Sequence, residues 1–183
     1  MSAHPIERAL AYTFRDQTLL QTALTHRSCS ARHNERLEFL GDAILNAIIA
    51  HCLFERFPAL PEGDLSRLRA HLVRQDRLHQ HALALSLGDF LRLGEGEQRS
   101  GGHRRPSILA DAVEALFGAL WLDAGFDAAG AIIARLYGAM LAELNAEQEI
   151  KDAKTRLQEY LQGRHLPLSL IHISEPTRQA EIS

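Results

Sequence analysis

Asn34 to Leu45 reads NERLEFLGDAIL, and its apolar residues Leu37, Leu40 and Ile44, continued by Ile48, recur at three- and four-residue intervals. That spacing predicts an α-helix, because residues three and four apart share one helical face. Glu35, Glu38 and Asp42 fall at i, i+3 and i+7. At about 100° per residue they share an arc of roughly 60°, opposite the apolar side. The helix should start near Asn34 and run to about Phe57, where Pro58 and Pro61 interrupt it. Ala43 to Phe54 is apolar nearly all round, which predicts a central helix buried between others or in a subunit interface.

The 183 residues suffice for one domain and a small appendage. With 46% apolar and 23% charged residues the chain can bury a core, which excludes disorder over most of its length. Aromatics are only 6% while Leu and Ala dominate, so helices should outnumber strands and the fold class should be all-α. A net charge of -3 means that a polyanion must be met by local patches. Cys29 and Cys52 match no metal or disulfide pattern, which suits a reducing compartment. Without a secretory leader or a run of about 18 apolar residues, no membrane partner and a cytoplasmic location are expected.

Helical spacing continues on both sides of the central segment. Short helices are expected over 5–12 and 16–25, the second capped by Asp16. After a turn at Pro61, Glu62 and Gly63, one helix should span Asp64 to Leu87 and stop at Gly88. Residues 94–105, GEGEQRSGGHRR, read as a loop; Pro106 then opens a helix through Ala124 that Gly125 closes, and a last helix covers 127–146. A polar stretch near residue 150 marks a boundary, and the capped segment Asp152 to Gly163 reads as the start of a second unit.

Asp111 and Glu114 in SILADAVEALFGALWLD form a second carboxylate pair on one face, outside a stripe of Ile108, Ala112, Leu116 and Leu120. Either acidic group alone reads more readily as solvated surface. Together they could give one cleft four or five hard oxygen donors, a set for magnesium or manganese and not zinc. Two such ions can ionise a water and neutralise an attacked phosphate, so phosphodiester hydrolysis is the natural reaction. A di-iron bundle would need Glu-x-x-His pairs, which neither helix has, and His33 and His51 stand at the wrong spacing. The loop Ser100 to Arg105 could offer backbone N–H groups with Arg104 and Arg105 to a phosphate, or be a plain surface turn. His26 in LTHRS is given no role.

NERLEFLGDAIL closely resembles the signature of ribonuclease III, the double-stranded-RNA endonuclease. YTFRDQTLLQTALTHRS from Tyr12, RFPALPEGDLSRLRAHLV from Arg56, GEGEQRSGGHRRPSILADAVEALFGALWLD from Gly94 and KDAKTRLQEYLQGRHLPL from Lys151 agree in the same order. The resemblance implies a helical endonuclease domain over 1–148 that forms a homodimer, with each subunit cutting one strand of duplex RNA. It further implies Mg2+, for which Mn2+ can substitute, held by Glu38, Asp111 and Glu114, with Asp42 and Glu114 catalytic and Glu35 and Glu62 as supporting acids. Products would carry 5′-phosphate and 3′-hydroxyl ends, from ribosomal, messenger and transfer RNA precursors.

Residues 149–168 resemble the first helix of the family's α+β double-stranded-RNA-binding domain, where Gln158 would touch the minor groove. Residues 169–183 resemble nothing in the family, so weaker RNA binding, relieved at low salt, is expected. A non-cleaving duplex-RNA-binding relative and a ribosome-associated scaffold are the alternatives; retention of Glu38, Asp42, Asp111 and Glu114 favours cleavage.

Overall fold

In the computed structural model, residues 4–144 are described, and they form one helical unit. In order, the helices are α1 (Pro5–Leu10), α2 (Gln17–Ala23), α3 (Glu35–Arg56), α4 (Glu62–Val73), α5 (Gln75–Ala84), α6 (Glu95–Arg99), α7 (Pro106–Ala124), α8 (Phe126–Leu136) and α9 (Gly138–Glu143). Single 3-10 turns occupy Leu87–Asp89 and Gly102–Arg104. Among the described residues the extended pairing is one isolated parallel bridge between Thr25 and Arg92. The all-α expectation therefore holds. The boundary near residue 148, the 149–168 segment with Gln158 and the 169–183 tail lie outside the described residues.

The most enclosed helix is α7, while the 34–57 helix expected to be central is buried over one side only. Between Ile108 and Leu120 every α7 residue is buried except Asp111 and Glu114, and α7 packs against α2, α3, α5 and α8. Pro106 opens it with a pre-set φ, and Gly125 closes it at φ 84°, a value that disfavours any residue with a Cβ. By length and composition α3 could cross a membrane. Here Leu37, Ile44, Leu45, Ile48, Ile49 and Leu53 are buried in the core instead, while Phe39 is 80% and Phe54 69% exposed. Its apolar excess thus leaves one face uncovered in the single chain.

The backbones of α3 and α7 touch at two glycines. A Cβ on Gly41 would overlap the Glu114 carbonyl, and one on Gly118 would overlap the Leu37 carbonyl. This contact sets Glu38 and Asp42 of α3 beside Asp111 and Glu114 of α7. The far end of α7 is tied to the start of the chain, since Asp123 accepts from the Tyr12 hydroxyl at 2.6 Å and from the Arg15 and Asp16 N–H groups at 2.8 and 2.9 Å.

Helix boundaries depart from the expected ones where no strong breaker stands. The single helix over Asp64 to Leu87 is two, because Arg74 takes extended backbone (φ −67°, ψ 156°) between α4 and α5. Glu62 and Gly63 belong to the first turn of α4, and α5 ends at Ala84, before Ser86 in left-handed backbone. The 94–105 loop holds α6 and a 3-10 turn. The expected 127–146 helix breaks at Tyr137, whose fully buried ring packs 4.2 Å from that of His81. Asp16 does cap α2, accepting from Thr18 N at 2.8 Å.

Gly41→Ala should destabilise by about 3 kcal/mol or more, because a backbone carbonyl rather than a flexible side chain must yield. A thermal midpoint lower by about 10 °C is expected; an unchanged midpoint would contradict the close contact.

Candidate metal centre

Glu38, Asp111 and Glu114 each turn one carboxylate oxygen to a common point, the three atoms lying within 4.8 Å of one another. All three side chains are half-buried. The apolar residues around them anchor both helices and leave these acids the polar edge of the crossing. Asp42 stands one turn further along α3, exposed, with Oδ1 accepting from Asn46 Nδ2 at 2.9 Å.

Burial is the first cause that pushes Glu114 up to about 8, and the charges of Asp42, Glu38 and Asp111 add to it. Glu38 is raised by burial and then by Asp111 and Glu35. Asp111 is raised by burial, with His26 and Arg27 working against the shift. Three acids thus share a place that disfavours their charged forms, and a divalent cation would reverse that preference. Oxygen donors alone fit a hard ion.

A polar cleft of about 270 Å³ opens over Glu38 and Asp111. Glu35 lies on its wall and accepts from Arg27 Nη1 at 2.9 Å. Arg105 also lines it and meets Glu97 Oε1 at 2.8 Å, whereas Arg104 is exposed and not among its lining residues. Glu62 is elsewhere: it accepts from Ser66 Oγ at 2.7 Å and lines an apolar groove with Phe54, Leu65 and Arg69. The cleft also takes in His26, Arg27, Asn34 and Glu97, which had no role in the sequence reading. The Thr25–Arg92 bridge brings His26 there, and helical periodicity gives no sign of such a loop pairing.

The family model described as Ribonuclease-III-like matches residues 16–141. A protein named Ribonuclease 3 from Dechloromonas aromatica is 58% identical over 180 residues, which cover 98% of this chain and 81% of that protein. Ribonuclease 3 of Thiobacillus denitrificans is 61% identical over 163 residues, 89% of this chain and 72% of the relative. Among solved structures, the nuclease domain of ribonuclease III from Campylobacter jejuni, described for flexibility in a region involved in dimer formation, superposes with a TM-score of 0.72. It is 47% identical and covers 73% of this chain and 94% of its own. Dicer from Pichia stipitis superposes at 0.55 with 30% identity, over 70% of this chain and 56% of that one.

The proton that Glu114 holds below about pH 8 competes with a cation. Its folded pKa lies above the unfolded value of 4.5, so without a cation stability falls as pH climbs from 4.5 toward 8. Cation binding should therefore tighten over the same rise, on the order of tenfold between pH 6.5 and 8.5, and release a proton. Calorimetric Mn2+ titrations in buffers of different ionisation enthalpy would read both; pH-independent affinity with no proton release would refute it.

Proposed function

The chain belongs to the ribonuclease III family, and from that premise we propose that it hydrolyses phosphodiester bonds of double-stranded RNA with a pair of magnesium ions, leaving 5′-phosphate and 3′-hydroxyl ends. It is an endoribonuclease by that membership. The observation that carries the finer reading is the meeting of the Glu38, Asp111 and Glu114 oxygens within 4.8 Å. Those three residues would hold a cation, and manganese fits the same oxygen set. A divalent ion bound there supplies positive charge to the attacked phosphate and a more acidic water.

The chain's own residues do the rest. Glu114 belongs to both the ligand set and the catalytic set, and its burial in the α3–α7 crossing fixes its direction. Asp42, outside the trio yet close enough to raise Glu114, is the acid free to take up a proton. Arg105 in the cleft, with Arg104 on the exposed surface beside it, faces the RNA backbone. Residues 1–148 make up the catalytic part, 149–168 with Gln158 begin an RNA-binding part, and 169–183 are a tail outside both. The setting is the cytoplasm and the substrates are structured RNA precursors, ribosomal RNA among them.

A perfect RNA duplex should be cut with magnesium and left whole without it. Glu114→Gln should lower the rate by about 10²–10³-fold or more while far-UV circular dichroism stays that of the parent; cutting at the parental rate would remove the assignment.

Dimerisation is supported by the uncovered face of α3, where Phe39 and Phe54 are 80% and 69% exposed and an apolar groove of about 380 Å³ runs beside Phe54. A second copy of the chain is the occupant we assign to that face. Phe39→Asp should convert the dimer to monomer in sedimentation velocity, and a dimer of undiminished affinity would exclude Phe39 from the interface.

A further inference from the structure

Two ion pairs border the acidic trio without belonging to it. Arg27, in the loop between α2 and α3, donates from Nη1 to Glu35 Oε1 at 2.9 Å. Arg105, before the first residue of α7, pairs with Glu97 Oε1 at 2.8 Å and donates to Ser100 Oγ at 3.3 Å. Arg27, Glu35, Glu97 and Arg105 line the same cleft as Glu38 and Asp111.

The Arg27–Glu35 pair is a poor structural brace, since 69% of the arginine side chain and 46% of the glutamate are open to solvent. Its place in the charge pattern is more telling. Clustered carboxylates repel the polyanion that must reach them, so a substrate phosphate needs positive charge at the rim. A guanidinium left loose there would fall onto Glu38 or Asp111 and occupy the oxygens a cation needs. Arg27 lines the cleft beside both. Glu35 gives it another partner, and Glu97 with Ser100 does the same for Arg105.

Resting on the nuclease reading, we infer that Arg27 holds a phosphate of the RNA strand in the cleft and that Glu35 is its positioning residue rather than a metal ligand. When RNA docks, Arg27 exchanges a carboxylate for a phosphate, two acceptors to which its planar fork presents the same N–H donors. Glu35 stays behind as the counter-charge that keeps the guanidinium out of the trio between turnovers.

The test uses the full chain, a perfect RNA duplex and four variants: Arg27→Gln, Arg27→Lys, Glu35→Gln and the Arg27→Gln/Glu35→Gln pair. Arg27→Gln should raise KM about tenfold, leave kcat and the half-saturating magnesium concentration unchanged, and flatten the log–log salt dependence of binding by about one unit. Arg27→Lys should restore the salt slope and part of the affinity. Glu35→Gln should raise KM by a smaller factor, and the double variant should match Arg27→Gln in KM and salt slope, because the carboxylate acts on the RNA phosphate through the guanidinium. A higher magnesium requirement with unchanged KM in Glu35→Gln would make Glu35 a ligand and overturn the inference. So would an Arg27→Gln protein with parental KM and salt slope. Duplex binding measured in calcium separates this from the nuclease reading, which fails instead if Glu114→Gln still cuts.

Discussion

Where α3 crosses α7, two backbones come together with no side chain between them, at Gly41 and Gly118. Everything chemical in the molecule depends on that approach. The Glu114 carbonyl faces Gly41 while the Glu114 carboxylate joins those of Glu38 and Asp111, so one residue carries both the packing contact and the charge. Larger residues at the crossing would push the helices apart and open the spacing of the oxygens. The buried stripe from Ile108 to Leu120 supplies the apolar burial that holds the contact closed.

Against that packing stands the repulsion within the trio. Burial and like charge both raise Glu114, so the acids oppose the fold unless protonated or neutralised by a cation. A surface designed only for stability would not gather them. Their placement is the kind of local conflict that marks a working site, where one region is held in an unfavourable state by the rest.

Much of this was legible in the residues. The i, i+3, i+7 arc of Glu35, Glu38 and Asp42 and the i, i+3 pair of Asp111 and Glu114 put acids on two helical faces, and the breakers at Pro58, Pro106 and Gly125 bounded the helices. Periodicity could not say which of the arc would meet the second helix; only Glu38 joins the trio, while Glu35 turns to Arg27 and Asp42 stays exposed. Nor could it show the breaks at Arg74 and Tyr137, since neither residue is a helix breaker. The apolar circumference of α3 has two explanations, core or interface, and spacing alone does not separate them.

The triple acceptance at Asp123 ties the first residues of the chain to the end of α7, more than a hundred positions away. Trimming the protein before Arg15 would discard Tyr12 and cut one of those three tethers, loosening the last turn of a helix whose middle carries Asp111 and Glu114. The amino terminus, although remote from the phosphate chemistry, is therefore a brace for it, and a shortened version of this enzyme would be a less faithful stand-in for kinetic work than its intact helical core suggests.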